Sequence, residues 1–173
     1  MDVQWTTYSS ILGPLALVEC RDGPLVVEFP RRAAHLRWIE RITERRGPVR
    51  VSHGPCPVTS QWLDRYFAGH PEAFPWPAWL PEWLPPTPIQ EAVWRAICAI
   101  PVGETRTYGE IARVARQHPR VTGQATGSNH LAILIPCHRV VGRGGALVGY
   151  GGGVQRKRRL LSHELRVAGL SLR

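Results

Sequence analysis

The chain has little cysteine. Four residues, Cys20, Cys56, Cys98 and Cys137, are spread through 173 positions with no CxxC pair. That pattern excludes a disulfide framework and a zinc ribbon. Cys20, His53, Cys56 and His70 also lack ligand spacing, so neither a metal nor a cofactor is expected. No long apolar run occurs: LAILI, residues 131–135, is far short of the roughly 20 residues that span a bilayer. The opening MDVQWTTYSS has no basic-then-apolar leader plan, so a cytosolic protein with reduced thiols and no membrane association is expected. Internal repeats and low-complexity tracts are missing too, and a hydrophobic content of 43% is ordinary for a globular chain.

What is present in excess is positive charge, and it is localised. Residues 1–86 carry nine Arg against nine Asp and Glu, whereas residues 87–173 carry twelve Arg and one Lys against four Glu. The whole net charge of +9 therefore belongs to the C-terminal half, which suggests a polyanionic partner such as nucleic acid.

Local patterns divide the chain into 1–75, an α/β unit; 76–87, a linker rich in Pro and Trp; and 88–173, a second unit. LGPLALVEC and PLVVEF around Asp22-Gly23 predict a β-hairpin. Residues 31–46 and the SQWLDRYFAGH stretch at about 60–70 predict amphipathic helices, the first through Ala34, Leu36, Trp38, Ile39 and Ile42. VRVSH at 49–53 predicts a strand between them. In PEAFPWPAWLPEWLPPTP the prolines forbid a ladder, and the tryptophans are expected to pin the linker to a surface rather than to stack on bases. Thr87 and Pro88 open a helix carrying Ile89, Val93, Ala96, Ile97 and Ile100, with Cys98 as filler. YGEIARVARQ and the element starting at Pro119 form a short helix pair of helix-turn-helix type. VVGRGGALVGYGGG is expected to be a glycine-rich hairpin or wing, and VQRKRRLLSHE a final helix with Leu160 and Leu161 inward and Arg156, Lys157, Arg158 and Arg159 near its first turn.

Chemistry concentrates in IPCHRVVGRGG. A free thiol has a pKa of about 8.5, so a nucleophilic cysteine needs a base or a positive environment. His138 can serve Cys137, directly or through water, if Pro136 bends the chain enough for both side chains to reach one site. The histidine in turn needs a carboxylate to fix its tautomer. Glu91, Glu104, Glu110 and Glu164 all qualify, and the residues alone do not choose among them. Burial of Cys137 as a space-filler is the competing reading.

IPCHRV, with Tyr150 of GYGGG thirteen residues after the cysteine and a basic helix ending His163-Glu164, resembles the active-site region of the O6-alkylguanine-DNA alkyltransferases, also called methylated-DNA–protein-cysteine methyltransferases. The resemblance continues upstream through TPIQEAVWRAICAIPVGETRTYGEIA and residues 120–129, covering 87–165, and more loosely includes LGPLALVECRDGPLVVEF and WLDRYFAG. It implies an α+β fold with a ribonuclease H-like N-terminal domain and a winged helix-turn-helix-like C-terminal domain. It also implies single-turnover transfer of an alkyl group from guanine O6 to Cys137, with His138 as base through water, Glu164 as its partner and Asn129 holding the active-site turn. Tyr108 would donate to guanine N3, the Val140 carbonyl would accept from the exocyclic amine, and Tyr150 with the Gly151 amide would line the alkyl side.

The family flips the damaged nucleotide out of duplex DNA through the minor groove. The resemblance implies Arg120 as the residue filling the gap, and Thr122, Gln124, Ala125, Thr126 and Gly127 as the DNA-facing helix. The expected partner is double-stranded DNA bearing alkylated guanine, bound by a monomer, with cooperativity and O4-alkylthymine repair left open. Three departures stand out: RVTG replaces RAVG, Tyr108 and Arg120 are about two residues closer than usual, and His130 occupies the place of a proline. The alternative is a non-catalytic damage-recognition protein, in which tryptophan replaces the cysteine. A methyl-responsive transcription factor would need a separate metal-binding domain, and cysteine hydrolase chemistry would leave the basic half unexplained.

Overall fold

The structure, a computed structural model, describes residues 2–29, 34–71, 74–78 and 80–169. Three strands open the chain: β1 (Asp2–Ser10), β2 (Gly13–Cys20) and β3 (Gly23–Glu28). After α1 (Ala34–Arg46), β4 (Arg50–His53) completes a sheet in the order β3-β2-β1-β4, with β4 parallel to β1 and the other pairs antiparallel. The predicted hairpin is β2–β3, turning at Arg21-Asp22, and Gly23 (φ +144°) takes up a conformation that strains other residues. The strand β1 was not expected, because DVQWTTYSS alternates weakly. Its side chains are mostly half-buried and its pairing with two neighbours supplies the stability.

β2 and β3 read as nearly continuous hydrophobic runs because both faces are covered, with Leu15, Leu17, Val18, Leu25, Val26 and Val27 fully buried. Glu19 is buried in the same strand, and its carboxylate accepts the backbone N–H groups of Val58 and Thr59. It supplies the anion at the start of α2 (Pro57–Phe67) that the N-cap Cys56 does not. Helix α2 begins a few residues before the expected stretch. In α1, Trp38 and Ile42 are buried as predicted, while the side chains of Ala34 and Leu36 lie outside the described residues.

The linker is not draped on a surface. It contains a short helix, α3 (Leu80–Trp83), and sends Leu80, Trp83 and Leu84 into the core. Trp83 donates its indole N–H to Asp22 Oδ2 at 3.0 Å, and Trp76 lies under the Arg95 guanidinium at 4.2 Å. Trp79 lies outside the described residues. Fully buried Trp83 is unavailable to a base.

Helix α4 (Pro88–Cys98) starts with the predicted cap: Thr87 Oγ1 accepts from Gln90 N, and Gln90 returns the bond to Thr87 N. Val93, Ala96, Ile97 and Ile100 are buried, but Ile89 is 39% exposed on the first turn. A two-residue strand β5 (Arg106–Thr107) precedes α5 (Tyr108–Val114) and α6 (Pro119–Gly127). Both packed helices contact α4, and Trp94 on α4 donates to the Ala125 carbonyl on α6 at 2.8 Å. After the active-site segment come β6 (Val140–Val141) and α7 (Val154–Val167). The expected hairpin or wing over 140–153 does not form: β6 pairs with β5 in parallel, and the glycine-rich stretch is a loop with a 3-10 turn at Arg143–Gly145. Its carbonyls at Val140 and Val148 bond to a lysine instead of a second strand.

The two halves meet along β3. Val27 N donates to His130 O and Ala132 N donates to Val27 O, both at 2.8 Å, so the segment leading to Cys137 extends the edge of the N-terminal sheet. Among the described residues no helix is long and apolar enough to cross a membrane.

Candidate active site

Pro136 (φ −79°, ψ 59°) bends the chain into a 3-10 turn over Cys137–Arg139. Cys137 and His138 therefore lie on a helical turn rather than on an extended strand. Cys137 and His138 are both buried, and Cys137 N bonds to Ile135 O at 2.7 Å. Asn129 holds the turn from the other side. Its Nδ2 donates to Ile135 O at 2.9 Å and reaches Cys137 Sγ at 3.1 Å, while its Oδ1 accepts from Leu131 N at 2.9 Å. It is no helix end, since Ser128 caps α6. Between these contacts the chain makes a tight turn with Ile133 at φ +74°, a conformation that costs a β-branched residue about 1–3 kcal/mol and persists only because the surrounding bonds fix it.

His138 Nε2 lies 2.7 Å from Glu164 Oε1, with both side chains wholly buried. Of the four carboxylates left open by the residues, the geometry brings Glu164 to the histidine. Arg139 grips the same carboxylate, Nε to Oε2 at 2.8 Å and Nη2 to Oε1 at 2.9 Å, and its Nη1 donates to Ile100 O at 2.6 Å. Burial disfavours the charged carboxylate. The His138 contact and the Arg139 guanidinium outweigh it and hold Glu164 below the usual carboxylate range. An ionised Glu164 accepts the Nε2 proton, which leaves Nδ1 with the lone pair. Among the described residues Nδ1 has no hydrogen-bond partner. Burial also pulls the His138 pKa down, against the pull of Glu164, so the ring is neutral near pH 7.

Burial pushes the Cys137 thiol up, opposed by the Asn129 bond and the charge of Lys157. The resting group is a thiol, and it requires a base to react. Lys157 is itself fully buried, its Nζ donating to Val140 O at 2.6 Å and Val148 O at 2.7 Å. It fixes the loop from β6 to α7, and its charge favours the Cys137 thiolate.

Comparison with known proteins bears on this constellation. Residues 88–166 match the model of the 6-O-methylguanine DNA methyltransferase, DNA binding domain. The methylated-DNA–protein-cysteine methyltransferase of Mycobacterium tuberculosis is 39% identical over 168 residues, covering 94% of this chain and 92% of the relative. The chain belongs to the methylated-DNA–protein-cysteine methyltransferase family. A crystal structure of the M. tuberculosis O6-methylguanine methyltransferase aligns with a TM-score of 0.73 at 33% identity, over 94% of this chain and 92% of that one. A structure of M. tuberculosis OGT in complex with DNA aligns equally well, at 32% identity over 96% and 94%.

The remaining residues implied by the methyltransferase resemblance fall into two groups. Tyr108 and Tyr150 both lie close enough to Cys137 to act on it electrostatically, Val140 follows the active-site turn in β6, and Gly151 is exposed in the loop after it. Tyr108 Oη donates to Gly149 O at 3.3 Å, burial and then the neighbouring Cys137 raise its pKa, and Tyr150 stands edge-on to Phe29 with centroids 6.2 Å apart. Gly152 beside them has no room for a side chain: a Cβ there would sit 2.5 Å from the Phe29 ring and 2.8 Å from Tyr150. On α6, Arg120, Gln124 and Gly127 are exposed, but the side chains of Thr122, Ala125 and Thr126 point inward. All three are buried, and the two hydroxyls bond to carbonyls one turn back, at His118 and Thr122. Their small size serves packing of α6 on α4.

Arg139, Lys157 and Tyr66 were not singled out by sequence as members of the site. Lys157 carried a signal, being the single lysine among 22 basic residues. Two carbonyls at an angle suit a compact ammonium better than a planar guanidinium.

Proposed function

We propose that this protein repairs alkylated DNA by direct reversal, Cys137 taking the alkyl group from guanine O6 once and irreversibly. The thiolate attacks the alkyl carbon in line; the S–C bond forms as the C–O bond breaks, and the electron pair stays on the guanine. The thiol proton passes to His138 Nδ1, with water as carrier, while Glu164 stabilises the imidazolium. Tyr108 donates to guanine N3 and spreads the charge of the leaving base, which takes up its proton there, and the proton held on His138 returns through solvent to the tyrosine oxygen. A thioether cannot be hydrolysed under these conditions, so the protein is consumed. The Val140 carbonyl accepts from the guanine amine, and Tyr150 with the Gly151 amide faces the alkyl group.

The partner is duplex DNA containing alkylated guanine. It is engaged through the minor groove by α6, with Arg120 filling the place of the flipped nucleotide and basic residues of the C-terminal half meeting phosphates. Residues 88–173 carry this chemistry, 76–87 link, and 1–75 support. The protein acts as a monomer in the cytosol, where its four thiols stay free. The observation that carries the reading is the buried His138–Glu164 pair at 2.7 Å, one residue from a thiol held by Asn129. Non-catalytic recognition of damage would leave that relay without a task.

The test is stoichiometry. Titrating the protein with duplex DNA containing O6-methylguanine should restore one guanine per protein molecule and then stop, and Cys137→Ser should restore none. Continued turnover, or repair by the serine variant, would sink the proposal.

A further inference from the structure

Tyr66 belongs to α2, in the N-terminal half, yet its hydroxyl donates to Glu164 Oε1 at 2.9 Å across a separation of 98 residues. That oxygen is the one His138 Nε2 meets at 2.7 Å and Arg139 Nη2 at 2.9 Å. The tyrosine is 1% exposed, and its ring is fixed on several sides: stacked on Trp62 at 5.5 Å, edge-on to Phe67 at 5.2 Å and tilted against His163 at 5.2 Å. Its backbone carbonyl accepts from His163 Nε2 at 2.8 Å. The end of α2 therefore docks on α7 at the two consecutive residues His163 and Glu164.

We propose that Tyr66 is a positioning residue of the alkyl-transfer relay, through which the N-terminal half fixes the orientation of Glu164 and limits its basicity toward His138. The proposal rests on the reading of Cys137, His138 and Glu164 as that relay. A buried hydroxyl donating to a carboxylate stabilises the ionised form and disperses its charge. The carboxylate then stabilises an imidazolium less, and His138 stays neutral to a lower pH. Phenylalanine at this position would fill the same space among Trp62, Phe67 and His163, so the hydroxyl has a task that packing does not account for. The groups facing Glu164 are His138, Arg139 and Tyr66 with the Gly103 amide, at 3.4 Å from Oε2. The charged groups acting on His138 are Glu164, Arg139 and Lys157.

The experiment compares wild type, Tyr66→Phe and full-length protein carrying a fluorotyrosine at position 66, which is a stronger donor. Two readouts are followed: the His138 imidazole titration by 15N NMR, and the single-turnover rate of methyl transfer from duplex DNA against pH. In Tyr66→Phe the His138 pKa should rise by about half a unit to one unit, with the rate on the acidic limb down roughly three- to ten-fold. The fluorotyrosine should move both in the opposite direction. A Tyr66→Phe protein with the wild-type titration and pH profile, or both variants shifted the same way, would overturn the proposal. If wild type transfers no methyl group the catalytic reading fails, and the NMR titration still decides whether Tyr66 acts on Glu164.

Discussion

His130 offers a quantitative test of how the site's supporting layer is built. It occupies the position after Asn129, is 4% exposed, and is wedged between Trp38 and Trp94, with ring centroids 4.3 Å and 5.4 Å away. Among the described residues neither ring nitrogen has a well-formed hydrogen bond, the Ser128 backbone making only a weak approach. Burial pushes its pKa from the ordinary 6.5 down to about 4, the Ser128 backbone offsetting part of the effect. The folded value is depressed, so as pH falls the unfolded chain takes up the proton first. Stability from this group is complete above the unfolded value and drains away between about 6.5 and about 4. A gap of about 2.5 units at about 1.4 kcal/mol each sets a ceiling of about 3.5 kcal/mol, of which about 2 kcal/mol is lost between about pH 8 and about pH 5. The perturbation is His130→Phe, which keeps a ring between the tryptophans and removes the titration. Urea unfolding of both proteins at the two pH values isolates the term, since other titrating groups cancel in the difference. Wild type should lose about 2 kcal/mol more than the variant on acidification. Equal losses would refute the claim that His130 is buried neutral.

Two further outcomes follow from the geometry. Arg139→Met strips Glu164 of its guanidinium and should cost about 3–5 kcal/mol in urea unfolding, because a buried charge is left uncompensated; a loss below about 1 kcal/mol would contradict that role. Arg120→Ala should slow repair of duplex DNA about ten-fold or more while leaving transfer from a free O6-alkylguanine base unchanged, because flipping is needed only in the duplex; equal slowing of both, in single-turnover assays, would remove the finger assignment.

Much of this was legible in the sequence. The cap at Thr87, the turn at Arg21-Asp22 before Gly23 and the α4 pattern, Ile89 excepted, are short-range signals that the structure follows. Less legible were features decided by long-range contact. DVQWTTYSS becomes a strand because two neighbours pair with it, and Leu80 and Trp83 enter the core because Asp22 and α1 receive the linker. Thr122 and Thr126 looked like groove contacts by analogy of position, but helix rotation turns them inward. The relay shows the same division. Resemblance implied Glu164, whereas nothing local to WLDRYFAG signals that Tyr66 meets it, or that Arg139 completes its coordination.

The central claim is that one buried thiol among four is chemically engaged. After incubation with duplex DNA containing O6-methylguanine, peptide mass spectrometry should find a single added methyl on Cys137, with Cys20, Cys56 and Cys98 unmodified. Burial pushes the thiols of Cys56 and Cys98 up to about 12 and about 11, and neither is held by a relay. Methyl on another cysteine, or an unmodified Cys137 beside intact alkylated DNA, would contradict the account.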